Sequence, residues 1–207
     1  MNLLFWAAVV TGAGYLAMRG AGLSQLSNRY KVAVRPRIHS VTLSEIMLAF
    51  DVSFINPSNG TLTIKQPFVE LYRRSPAPPA KPVLPANATG PQQKDWQTAV
   101  DAAAAWTKPA PLFFSSPSAK TVTILSNATT TFPTVFVPIN YTNLMPLSAG
   151  YVVLKSILLS GKPTTLFTAT YVEVSGLALP PFVEMVDIPA VKLSDSWRAI
   201  LNQIFKL

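Results

Sequence analysis

Three hydrophobic patterns follow one another along the chain. The first is continuous. Leu3 to Met18 reads LLFWAAVVTGAGYLAM without a charge, and Arg19 ends the run. Counted from Met1, these eighteen uncharged residues make about 27 Å of α-helix, against a hydrocarbon layer of about 30 Å. With Gly20 to Leu23 continuing it, residues 1–23 are expected to form a transmembrane helix. Leu3, Leu4, Phe5, Trp6, Val9, Val10, Tyr15 and Leu16 would be its membrane-anchoring side chains, and Trp6 and Tyr15 would sit towards opposite interfaces. A cleaved signal peptide would carry positive charge before the apolar run, and none is there. A helix apolar on all faces but buried in protein needs a large protein around it. A retained anchor is the expectation, with the buried helix as the alternative.

The second pattern has period two, the signature of half-buried strands. In Ile46 to Ile55, Ile46, Leu48, Phe50, Val52 and Phe54 share one face, with Met47, Ala49, Asp51 and Ser53 opposite. Asn56-Pro57-Ser58-Asn59-Gly60 is a turn cluster, since Pro fixes φ and Asn-Gly tolerates positive φ. Strands resume at Thr61 to Ile64 and Phe68 to Tyr72, broken by Pro67 at a bulge or edge. Further strands are predicted over Thr121 to Leu125, Thr134 to Pro138, Leu166 to Ser175 and Val186 to Leu193. Tyr151 to Leu159 fits helix or strand equally. Many short strands separated by turns predict an antiparallel sandwich rather than βαβ units.

The third pattern is helical. Ser194-Asp195-Ser196 offers N-cap chemistry to WRAILNQIFKL, where Trp197, Ile200, Leu201, Ile204 and Phe205 share one face. This amphipathic helix, 194–207, either packs on its own sandwich, lies in a membrane interface or fills a partner's groove.

Between Arg73 and Lys120 the pattern lapses. SPAPPAKPVLPANATGP (Ser75 to Pro91) predicts an extended arm. Gln92 to Trp106 predicts a helix with Pro91 in its first turn, stopping before Pro109. Trp96, Trp106, Phe113 and Phe114 are unusual for a floppy loop. The insertion 73–120 is therefore expected to leave the sandwich and dock on a neighbouring subunit. The terminal helix face is the other candidate contact.

Charge adds an orientation. Arg19, Arg29, Lys31, Arg35 and Arg37 follow the apolar run, and no acid occurs before Glu45. These five are candidate lipid-headgroup contacts in a basic linker and first strand, 24–44. By the positive-inside tendency the N-terminus lies outside and the remainder on the cytoplasmic side. The net charge is +8, of which +3 remains once the five are set aside. No specific nucleic-acid binding is expected from so dispersed a remainder.

Composition then narrows the chemistry. There is no cysteine, which excludes thiolate nucleophiles and zinc–sulfur sites, and the one histidine, His39, makes His-based triads and poly-His metal centres very hard to build. The nine acids show no paired-carboxylate spacing, and Asp51 and Glu70 are expected to face outward from strands. No phosphate-binding, nucleophile-elbow or zinc-protease motif occurs. The expectation is a protein without catalysis, metal or cofactor. Four Asn-x-Thr triplets, at Asn59, Asn87, Asn127 and Asn140, arise readily by chance in so Thr-rich a chain.

The stretch LAFDVSFINPSNGTLTIKQPFVELY (Leu48 to Tyr72) resembles the hallmark of LEA type-2, or WHy, domains. That hallmark is a strand, an Asn-Pro-Asn-like turn, a short strand and an aromatic-ended strand. Here the turn is Asn56-Pro57-Ser58, departing at its third position. TILSNATTTFPTVFVPINY (Thr123 to Tyr141) and the segment from Gly161 through Leu179-Pro180-Pro181-Phe182 are also similar to the family. The resemblance runs from about Tyr30 to Leu193 around the insertion. It implies one immunoglobulin- or fibronectin-like antiparallel β-sandwich at 45–193, without an active site and often membrane-held by an N-terminal segment. In plant relatives the charges precede that segment, so orientation is not inherited from them.

Together these readings predict a mainly β protein with an N-terminal transmembrane helix and a C-terminal amphipathic helix. Its expected role is structural, linking a lipid bilayer to neighbouring protein subunits. One concrete version is a minor virion protein between an internal viral membrane and a capsid. The alternative is a cellular LEA type-2-like protein binding lipid or an apolar ligand in an envelope or stress role.

Overall fold

A computed structural model describes residues 30–80 and 82–205. The expected membrane span, with Arg19 and Arg29, lies outside these residues. Among the described residues no helix is long and apolar enough to cross a membrane.

The fold is mainly antiparallel β. β1 (Lys31–Val41) and β2 (Glu45–Ile55) form a long hairpin from Lys31↔Ile55 to Val41↔Ile46, with an irregularity at His39. β3 (Leu62–Lys65), β4 (Phe68–Tyr72), β5 (Phe113–Phe114), β6 (Thr121–Ile124), β7 (Thr129–Thr131) and β8 (Val135–Asn140) follow. After them come β9 (Thr164–Tyr171), β10 (Glu173–Val174), β11 (Leu177–Ala178) and β12 (Phe182–Ile188). Among the described residues there are three α-helices, α1 (Gly90–Ala104), α2 (Ala149–Leu159) and α3 (Asp195–Ile204).

The strands form two layers of a β-sandwich. One is β1-β2, with β7 and β8 pairing successive parts of β2. The other is a four-stranded layer bent in the middle, one half ordered β12-β9-β4-β5 and the other β11-β10-β3-β6. The bend falls at buried Pro67 between β3 and β4, where a missing N–H costs no ladder bond. It falls at Val172 between β9 and β10, so the single strand expected over Leu166 to Ser175 is two. The last strand occupies Phe182–Ile188, earlier than expected, because Pro189 cannot donate to the ladder and ends it.

The core sits where the alternation in β2 predicts it. Ile46, Leu48, Phe50, Val52 and Phe54 are all fully buried, facing Ile64, Val69, Leu71 and Leu166. Tyr151 to Leu159 resolves as helix: Ser148 accepts a hydrogen bond from the Tyr151 N–H at 3.2 Å, and Val153, Leu154, Ile157 and Leu158 are buried. Four buried positions spaced 1, 3 and 1 apart fit a helix face, not a strand.

The register gives the molecule two distinct ends. At the amino end β1 starts, β2 finishes, and the 56–61, 125–128 and 175–176 turns gather. At the opposite end lie the β1–β2 turn, the 141–148 loop, α2 and α3. The insertion leaves after Tyr72 and returns with the Leu112 N–H donating to the Leu71 carbonyl at 2.7 Å, so it also departs towards that opposite end.

Candidate functional site

The amino-end turns form the most fully hydrogen-bonded polar cluster. Asn56 is completely buried. Its amide donates to the carbonyls of Gly60 (2.8 Å) and Leu125 (3.0 Å). Its side-chain oxygen accepts from the Ser58 N–H (3.0 Å) and hydroxyl (2.6 Å). Asn127, at φ 50°, donates through its backbone to the Ser58 carbonyl and through its amide to Asn59 (both 3.0 Å). Pro57 is exposed and only shapes the turn. The expected Asn-Pro turn is therefore a staple between two loops. It is built because an Asn side chain can both donate and accept.

A second cluster escaped the sequence reading. Glu70, expected to face outward, has a side chain only 16% exposed. It accepts from the Tyr72 and Tyr171 hydroxyls, the latter at 2.6 Å, with Lys108 at 3.4 Å. Lys108 also donates to the Tyr171 hydroxyl at 2.6 Å. Burial alone would push the Glu70 carboxyl up, but the hydroxyl hydrogen bonds and the ammonium charge outweigh it and hold it below the usual range. The same contacts raise Lys108. Because Lys108 lies in the insertion just before β5, this cluster fastens the returning strand to the sheet. Glu70-x-Tyr72 was the only local signal. Beside it lies a mainly apolar cleft of about 190 Å³ between Phe68, Tyr171 and Leu179, rimmed by the Lys65–Glu173 ion pair (3.5 Å).

Asp51 accepts from Thr134 (2.8 Å) and pairs with Arg37 (3.1 Å), which together hold its carboxyl low. Glu184 differs. Burial pushes its carboxyl up, although the Val34 backbone N–H donates to it. That N–H belongs to an edge strand whose next outward-facing position is Pro36, so Glu184 and Pro36 leave little of the edge open for pairing. Among the described residues no group of three or more acids or histidines could hold a metal ion.

The predicted contact residues divide. Lys31 and Arg35 are exposed on one face of β1, whereas Arg37 is engaged with Asp51 and Thr134. Three expected partner contacts instead belong to the chain's own core. Phe113 is 6% exposed, and Leu201 and Phe205 are 0% and 2%. Phe113 pairs with Leu71 and packs against Gly150, where any Cβ would stand 3.5 Å from its ring. Phe205 stacks on Tyr141 and Tyr151 with ring centroids 5.8 and 5.1 Å away. The apolar stripe of the terminal helix thus caps its own sandwich. Trp197 and Ile204 are half-buried beside it, and Ile200 is exposed.

The insertion keeps an open surface. No residue of α1 is fully buried, and Trp96, Val100 and Ala103 are half-buried. Its Trp96 indole donates to the Pro82 carbonyl at 3.3 Å, holding the helix to the Pro-rich arm. Trp106 is half-buried, and Phe114 is exposed beside Phe68. At the same end of the molecule Leu43, Met145 and Leu147 are 56%, 77% and 86% exposed, and Leu147 adopts φ 64°.

No protein-family model matches the sequence, and no curated protein matches it. Several solved structures are loosely similar. A protein from Archaeoglobus fulgidus is 12% identical with a TM-score of 0.40, over 78% of this chain and 98% of its own. A protein described as late embryogenesis abundant (LEA) is 14% identical with a TM-score of 0.35, over 89% of this chain and 87% of its own. A glycoside hydrolase family 2 β-glucuronidase is 10% identical with a TM-score of 0.37, over 76% of this chain and 11% of its own.

Proposed function

We propose that the chain is a non-catalytic spacer that ties a lipid bilayer to a protein assembly. In this reading residues 1–23 sit in the membrane, with the N-terminus outside and the sandwich on the cytoplasmic side. The sandwich is immunoglobulin- or fibronectin-like, of the LEA type-2 kind, a reading supported by its three-on-four strand layering and the stapled Asn56-Pro57 turn.

One observation carries the proposal: the two ends of the sandwich differ in what they offer. The apolar segment joins at the amino end. The exposed apolar side chains Leu43, Met145 and Leu147 lie at the opposite end, and the insertion leaves and rejoins the sheet at Tyr72 and Leu112 on that side. A spacer needs that separation, and β1 and β2, at eleven residues each, set it at about 36 Å. A capsid layer facing an internal viral membrane is one assembly this arrangement suits.

Vesicle flotation tests the proposal. The full chain should float with liposomes, and a variant lacking residues 1–23 should stay at the bottom while keeping its β-type circular dichroism. A truncated chain that floats equally well would refute the anchor. An anchored chain whose native assembly forms normally without residues 75–106 and with Leu43, Met145 and Leu147 all changed to Ser would refute the linking role.

A further inference from the structure

We propose that the amino-end loops form a second membrane contact, lying against the lipid headgroups with Leu125 and Ile55 reaching to the interface. This deepens the tether reading and rests on it. Three observations meet here.

The first is the path of the chain. Tyr30 is 9% exposed, and its ring lies 5.1 Å from that of Phe54. This pins the start of β1 beside the 55–61 turn. Only six residues separate Leu23 from Tyr30, and even fully extended they reach about 25 Å. A linker of that length keeps this end within about 25 Å of the bilayer.

The second is chemistry. Tyr30–Lys31, Ile55–Thr61, Leu125–Ala128 and Ser175–Leu177 contain no carboxylate, and Lys31 is their single charge. The neighbouring acids are already engaged. Glu173 pairs with Lys65 at 3.5 Å, and Glu184 takes the Val34 N–H. Nothing at this end repels phosphate, and its Asn, Ser and Thr side chains are neutral hydrogen-bonders suited to a headgroup layer. At the opposite end Glu45 stands beside the 141–148 loop.

The third is rigidity. Leu125 is 66% exposed and Ile55 38%. Both sit on backbone fixed by the Asn56 staple, through the Leu125 carbonyl itself in one case. An apolar side chain held in place at an uncharged, acid-free tip loses no loop entropy when it enters an interface.

The absence of cysteine makes the test direct. Single Leu125→Cys and Met145→Cys variants of the full chain are labelled with an environment-sensitive fluorophore. They are reconstituted in phosphatidylcholine–phosphatidylglycerol vesicles. A lipid carrying a spin label near its headgroup should quench the probe at 125 several-fold more than at 145, and iodide should quench it less. Equal quenching at the two positions in vesicles that still float with the chain would overturn this inference and leave the tether intact. Shielding of 125 from iodide without lipid quenching would mean contact with a second copy of the chain, and would overturn it too. Failure to float would overturn both readings.

Discussion

Replacing Asn56 by alanine removes one side chain that closes four hydrogen bonds at a fully buried position. The Ser58 hydroxyl keeps an alternative acceptor, the Gly60 carbonyl at 3.2 Å. The Leu125 carbonyl and the Ser58 N–H lose this partner. At about 1 kcal/mol net per hydrogen bond, and more where a buried group is orphaned, Asn56→Ala should cost about 2–4 kcal/mol. That is a large share of a stability of about 5–15 kcal/mol. With an m-value of about 2 kcal/mol/M, the urea midpoint of the full chain in mild detergent should fall by about 1–2 M, read by circular dichroism in the β region. Asn56→Asp sharpens the test. It keeps the acceptor for Ser58 but turns a carboxylate towards two carbonyl oxygens, so its pKa in the folded state must exceed its unfolded value of about 3.9. The penalty is then complete at neutral pH and lessens as pH falls through the raised pKa, when the protonated acid can donate one bond. An alanine variant within about 0.5 kcal/mol of the parent, a loss expected of an ordinary surface site, would refute the staple. So would an aspartate variant whose deficit is the same at pH 7 and pH 4.

Glu184 has one buried carboxylate oxygen without a partner, and its raised pKa means that folding is penalised above that pKa and relieved below the unfolded value. Glu184→Gln should therefore be more stable at neutral pH by up to about 1 kcal/mol, an advantage that vanishes towards pH 4 in urea titrations. Leu201→Ala should cost about 2–5 kcal/mol while Ile200→Ala, one residue away but 42% exposed, should cost little; equal effects in thermal unfolding would contradict the packing of α3 on its own sandwich.

The parts of the fold that could be read from sequence are those where one local pattern has one structural solution. Strict alternation in Ile46 to Ile55 admits only a strand buried on one side, and all five predicted inward residues are buried. Asn56-Pro57 was legible as a turn, but its stapling of Leu125 was not, because the partner lies 69 residues away. Tyr151 to Leu159 was ambiguous because nearly every residue is apolar, which erases both periodicities. An amphipathic stripe records that something covers it and not what does, so Leu201 and Phe205 looked as suited to a partner as to their own core. The Glu70 cluster joins residues 38 and 101 positions apart, a convergence that only the folded chain displays.

The β1–β2 hairpin carries a mechanical consequence. β1 is an edge strand, its ladder is antiparallel to β2, and its hydrogen bonds run perpendicular to the strand axis. Tension entering at Tyr30 and resisted at the far loops runs along that axis. It strains the rungs together, as in a lap joint, instead of opening them one after another like a zipper. A chain pulled from the Val41 turn with the other end held free would peel. Loaded from Tyr30 in this way, the strand gives way only when most of its rungs yield at once.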